Sequence, residues 1–154
     1  MTLGAHSDRA YKELKAVYGV EGEEDGDVLI TKTTLQPTKP LMVFKNPRPE
    51  ARFVVTFQTS EFTSLCPRTG QPDFAEVSIS YIPKEYCVEM KALKLYLQSY
   101  RNEGHFLEEI TNLIFEDLME VLDPRWLDVE VEFNIRGGTE AFCERIYDEE
   151  KEKE

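Results

Sequence analysis

Two side chains in one short stretch have types that could do covalent chemistry. Within FTSLCPRTGQPDF, residues 62–74, Cys66 and Asp73 stand seven positions apart in a polar connection. A thiol near its free pKa is only a few per cent ionised at neutral pH, so as a nucleophile it needs a base or a local positive field. A neighbouring carboxyl in a partly dry pocket can carry the proton. The ordinary alternative is a small buried Cys66 and a turn-forming Asp73, since free cysteine is among the most buried residue types. Cys87 and Cys143 have no acid, base or spacing to recommend them and read as structural. A triad drawn from Ser64, His105 and an acid lacks any nucleophile elbow. With only His6 and His105, a three-histidine metal site within one chain is excluded, and no metal is expected.

A second candidate is cationic. Residues 84–101 carry four bases and two acids. Within them Met90, Leu93, Leu97 and Tyr100 fall at helical spacing, and Lys91, Lys94, Gln98 and Arg101 fall on another face. Glu89 stands at the helix start, where the dipole favours a carboxylate, and the lysines could meet phosphate as point charges. A solvated basic face is the plain alternative. There is no GxGxxG and no Walker loop, so a dinucleotide would have to bind outside a Rossmann fold.

The elements that must position these groups follow from periodicity. Residues 52–58 alternate as a strand buried largely on both faces, and residues 59–73 read as a polar connection. Val77, Ile79 and Tyr81 alternate with Glu76, Ser78 and Ser80 in a second strand, ended by Pro83 and able to pair antiparallel with the first. After the lysine-bearing helix, Phe106, Ile110, Leu113, Ile114, Leu118 and Val121 mark a second helix that stops at Asp123-Pro124. Leu127, Val129, Val131, Phe133 and Ile135 then alternate strictly with polar residues up to Gly137-Gly138, and residues 141–147 could add a last strand. The order β-β-α-α-β-β predicts an α+β domain, an antiparallel sheet with two helices on one face. Its wet face and aromatic edges leave room for association between chains. Residues 1–50, rich in Gly and Pro, read as a loop-rich N-terminal arm with at most a short helix, residues 51–147 as one catalytic domain and 148–154 as an acidic tail.

Charge narrows the partners. Across 154 residues, 18 Lys and Arg against 30 Asp and Glu leave −12, which argues against a basic nucleic-acid binder. Residues 21–27 contribute −5 and residues 140–154 contribute −4, both read as solvated loop or tail. No apolar run spans a bilayer and the N-terminus lacks a signal-peptide pattern, so a cytoplasmic protein is expected. Three cysteines give no disulfide framework or zinc ribbon.

The loop FTSLCPRTGQPDF, the helix EMKALKLY, the following RNEGHFLEE and the strand end Asn134-Ile135-Arg136-Gly137-Gly138 resemble the short form of the NADPH-dependent 7-cyano-7-deazaguanine reductases of queuosine biosynthesis. The likeness runs over residues 53–138. It implies a tunnelling fold (T-fold), whose element order agrees with the one read from periodicity, and homo-oligomers of stacked rings, a decamer, with sites between subunits. It implies that Cys66 adds to the nitrile carbon to form a thioimide and that Asp73 supplies a proton to nitrogen. Glu108 with Leu107, and Val88-Glu89-Met90, would bind the deazaguanine; Met90-Lys91 and Arg136-Gly137 would meet NADPH, two of which are consumed per turnover. Two positions depart from the pattern: Leu107 stands where the family commonly has His, and Met90 where it usually has Ser. His105 lies about 200° around a helix from Leu107 and cannot take over. Two other readings are an archaeal-type amidino transferase acting on nitrile-bearing tRNA, which would want a cationic surface and no lysine-bearing helix, and an inactive purine-binding module.

Overall fold

The computed structural model describes residues 39–153. The reading of a short N-terminal helix and the acidic run 21–27 lie outside the described residues. Four strands form one antiparallel sheet in the order β2-β3-β5-β6: β2 (Val55–Leu65), β3 (Pro72–Ile82), β5 (Trp126–Arg136) and β6 (Thr139–Asp148). A second, two-stranded sheet pairs β1 (Val43–Lys45) with β4 (Tyr86–Val88). The helices α1 (Met90–Gln98) and α2 (Leu107–Leu122) are joined by a 3-10 turn, Ser99–Asn102.

The inward sides of β3 and β5 carry Val77, Ile79, Tyr81, Leu127, Val129 and Val131, all buried against Leu93, Tyr96, Ile110, Ile114 and Leu118 of the helices. Alternation in the strands and 3.6-residue spacing in the helices thus meet across one dry layer. Along α1 and the 3-10 turn that continues it, Leu93, Leu97 and Tyr100 are buried while Lys91, Lys94, Gln98 and Arg101 are exposed, as the spacing predicts. Asp123, in the left-handed conformation at φ 40°, ends α2 before Pro124.

Several local expectations change. The strand placed at 52–58 is not buried on both faces: Thr56 and Gln58 are exposed, because the helices cover one side of the sheet only. It also runs on to Leu65, through a bulge between Thr59 and Phe62 that shifts the inward positions from odd to even numbers. That slip hides the second half of the strand from any test for alternation, and the connection shrinks to residues 66–71. Met90 does not join the core and is 68% exposed. It is the first residue of α1, and helical side chains lean toward the N-terminus, beyond which no core lies. Phe106, at the cap of α2, and Ile135, past an irregularity between Phe133 and Arg136, are exposed for the same want of a partner. The last strand expected at 141–147 forms and spans 139–148, so most of the acids read as loop or tail lie on a strand whose part-buried side holds Ala141, Cys143, Arg145 and Tyr147. Leu41 is buried and β1 is paired, so residues 41–45 of the expected arm are tied to the domain.

Candidate active site

Cys66 is the first residue after β2. Two backbone bonds close the loop on it, from Cys66 N–H to the Gln71 carbonyl (2.8 Å) and from Gly70 N–H to the Cys66 carbonyl (2.8 Å). Gly70 takes φ 69°, a left-handed conformation that favours glycine. The tight turn aims donors at sulfur: the Thr69 hydroxyl first, then the backbone N–H groups of Arg68 and Thr69, hold the thiol below its ordinary pKa. Cys66 is part-exposed. Cys87, by contrast, is buried, and burial pushes its thiol up, which suits a structural role.

A second segment steadies the end of β2. Leu65 N–H donates to the Glu103 carbonyl (2.9 Å) and His105 N–H donates to the Leu65 carbonyl (3.2 Å). Gly104 lies so close to the loop that a Cβ there would stand 3.3 Å from Pro67 Cα. His105 sits between Glu103 (Nε2, 3.0 Å) and Glu109 (Nδ1, 3.1 Å), its ring edge-on to Tyr100. It braces this turn and does not stand in for a histidine at position 107.

Asp73, the second residue of β3, is 4% exposed and lies directly across the ladder from Ser64. The Thr63 hydroxyl donates to its backbone carbonyl (2.7 Å), and Arg136 at the end of β5 forms an ion pair with its carboxylate. That guanidinium is stabilised in its charged form by Asp73 first and by Cys66 as well. Ser64 Oγ is fully buried with no hydrogen-bond partner among the described residues. The ends of β2, β3 and β5 thus bring Cys66, Asp73 and Arg136 together, with the Gly137-Gly138 turn at φ 56° and 75° just beyond. A nucleophile, a proton carrier and a fixed cation in one place can add sulfur to an electrophilic carbon and manage the proton that this releases.

The other expected site residues fall elsewhere. Leu107 packs part-buried against the core, and Glu108 is exposed on the first turn of α2, in the segment that follows the Gly104 brace. Val88 is buried, its N–H donating to the Tyr81 hydroxyl (3.0 Å). The Glu89 carboxylate caps α1, accepting from Lys91 N–H (2.9 Å) and Ala92 N–H (2.8 Å). Tyr81 and Asp73 are eight residues apart on β3, roughly 26 Å at about 3.3 Å per residue. Residues 88–91 therefore stand at the opposite end of the sheet from Cys66 of the same chain. Lys91 and Lys94 on α1, Arg101 on the 3-10 turn that continues it and Arg136 on β5 all reach the surface, cations that fit the phosphates of a dinucleotide. Thr69, Ser64 and Gly104 were missed from the sequence; only Thr69, before a turn glycine and three residues from the cysteine, left a signal there.

The family model described as QueF-like protein matches residues 72–152, a span that holds Asp73, Glu108 and Arg136. The chain is 51% identical over 113 residues to the NADPH-dependent 7-cyano-7-deazaguanine reductase of Thermomicrobium roseum, covering 73% of this chain and 88% of that protein. It is 53% identical over 103 residues to the enzyme of the same name from Alkalilimnicola ehrlichii, covering 67% and 80%. This chain belongs to the NADPH-dependent 7-cyano-7-deazaguanine reductase family. The crystal structure of the archaeosine synthase QueF-Like in the apo form matches with a TM-score of 0.57 at 26% identity, over 60% of this chain and 91% of that one. The reductase-family chain thus has the tunnelling fold that the resemblance implies. No helix among its described residues is long and apolar enough to cross a membrane.

Proposed function

We propose that this chain is a nitrile oxidoreductase that reduces 7-cyano-7-deazaguanine (preQ0) to 7-aminomethyl-7-deazaguanine (preQ1) with NADPH, in the biosynthesis of the tRNA nucleoside queuosine. Family membership supports the reaction, and one observation carries the assignment of residues: Cys66, Asp73 and Arg136 converge where β2, β3 and β5 end.

A nitrile is a poor hydride acceptor, and covalent addition replaces one difficult step by two easier ones. Cys66 sulfur bonds to the nitrile carbon. Asp73 takes the thiol proton and delivers it to the nitrile nitrogen, giving a neutral thioimide. NADPH, when bound, supplies hydride, and two equivalents take the nitrile to the amine. Cys66 leaves as thiolate once its carbon is reduced, and the donors of residues 68 and 69 that lower its pKa make it a better leaving group. The Glu108 carboxylate suits a guanine-like edge, since it accepts two N–H bonds at once. Val88, Glu89 and Met90, with Leu107, complete the purine site, while Met90, Lys91, Arg136 and Gly137 hold the cofactor.

Because residues 88–91 stand roughly 26 Å along the sheet from Asp73, a second copy of the chain brings them to Cys66. The acting species is then a homo-oligomer, in keeping with stacked rings and a decamer. Among the described residues, β2 and β6 are the edges of the four-stranded sheet, and edges of this kind can pair between copies. The enzyme acts in the cytoplasm on a free base, without nucleic acid or membrane, which the net charge of −12 favours.

The amidino transferase reading draws on the likeness to the archaeosine synthase structure. Identities of 51–53% to reductases and an exposed lysine face on α1 outweigh it. Incubated with the nitrile alone, the protein should gain the mass of one substrate per chain, and Cys66→Ala should gain none. With NADPH, cofactor oxidation should accompany amine formation. A folded sample that forms no adduct and oxidises no NADPH would overturn the proposal.

A further inference from the structure

Arg136 is drawn to the cofactor by its place in the family pattern, yet its guanidinium is engaged with Asp73 and Cys66. Asp73 is almost fully buried, and a lone carboxylate there would be costly to ionise. Arg136 pairs with it and also feels the Cys66 sulfur, while remaining about half exposed itself. Among the described residues, the charged or titratable groups known to face Asp73 are Arg136 from β5 and Cys66 from the loop; Ser64 faces it from β2 with a neutral hydroxyl.

We propose that Arg136 is a positioning residue for the first covalent step: its guanidinium pairs with the buried Asp73 and holds that carboxylate in place to accept the Cys66 proton as sulfur adds to the nitrile. The proposal rests on the roles of Cys66 and Asp73 given above. The step balances without an outside reagent. The S–H bond breaks, its proton passes to Asp73 and then to nitrogen, and one C–S bond forms as the nitrile loses one π bond. Arg136 gains and loses nothing; it fixes the place of the acceptor at the outset. The chemistry also orders its two tasks, since the adduct forms without cofactor and a half-exposed guanidinium remains able to meet a phosphate afterwards. Removing one partner of a buried ion pair leaves the other uncompensated, so the effect on Asp73 should be large.

Adduct formation with 7-cyano-7-deazaguanine in the absence of NADPH isolates this role, because a purely cofactor-binding arginine cannot influence it. Followed by intact-protein mass, R136Q should form the thioimide about tenfold or more slowly at pH 7. R136K, which keeps the charge, should recover most of the rate. The double variant R136Q/D73N should be no slower than D73N alone, because the arginine acts through the carboxylate. Circular dichroism checks folding, and R136K with the D73N pair carries the test if R136Q does not fold. An R136Q adduct rate equal to wild type, with only the NADPH KM raised, would overturn the proposal. So would a further loss from R136Q in the D73N background, which would mean that Arg136 acts on sulfur directly. A wild-type protein that forms no adduct would instead sink the Cys66 reading, and this inference with it.

Discussion

At position 66 the thiol is held below its ordinary pKa by its own turn. The Thr69 hydroxyl is the largest of the influences that lower its pKa, ahead of the two backbone donors, while nearby Asp73 opposes them. Thr69→Val keeps the shape of the side chain and removes the hydroxyl. At pH 7 the thiolate fraction should fall, slowing alkylation by iodoacetamide. The sign follows from the direction of the shift: the variant thiol ionises at higher pH, so the two proteins should converge once the pH exceeds the ordinary thiol range. A pH series of alkylation rates decides it, and coincident curves would rule the hydroxyl out. The pairing of Cys66 with Asp73 was legible in the sequence because both lie in one loop motif. Thr69 and Ser64 were not, since a hydroxyl's role depends on where a turn or a ladder aims it.

At the level of elements, two short contacts hold the parts in place. Glu89 caps α1 through two charge-assisted bonds, and Glu89→Ala should cost about 1 kcal/mol of unfolding free energy in urea. Glu89→Gln, which keeps one acceptor, should lose less. The Gly104 brace makes a different prediction, because no positive φ is at stake there and alanine does not strain the backbone. Its Cβ would press on Pro67 at 3.3 Å and displace the nucleophile loop. Gly104→Ala should therefore slow adduct formation by more than tenfold, as small misplacements of reacting atoms do, while urea midpoints stay close to wild type. Equal adduct rates would mean that the loop yields freely. The helix α1, apart from Met90, and strand β5, up to Ile135, were readable because one periodicity runs through each. Strand β2 was readable only up to its bulge, and β6 was legible as a last strand at 141–147.

Over the whole molecule, the net charge of −12 gathers partly on the outer face of the sheet. Asp128 and Glu132 there are raised above the usual carboxylate range, by desolvation first and then by like-charged neighbours among Glu76, Glu130, Glu140 and Glu144. A carboxyl whose folded pKa is raised destabilises the fold where it is ionised, and this cost disappears as the pH drops below the unfolded value. Glu132→Gln should raise Tm at pH 7 and lose that advantage on acidification toward pH 4; a rise that is independent of pH would point to packing instead. The division of the site between sheet ends makes a prediction about assembly. Cys66→Ala and Lys91→Ala should each be inactive alone but regain part of the NADPH oxidation when unfolded together and refolded as mixed oligomers; no recovery would place both residues in a site within one chain. The sequence by itself determined the alternation of β5, the two faces of α1, the stop at Asp123-Pro124 and the loop that holds Cys66 and Asp73, because each depends on neighbours within a turn or a few strand residues. Only the tertiary structure decided the bulge that turns Ser64 inward, the Gly104 brace on Pro67, and the pairing of Arg136 with Asp73 across 63 positions of chain. Those contacts follow from sheet register and from which side the helices cover, and neither is a property of any local stretch.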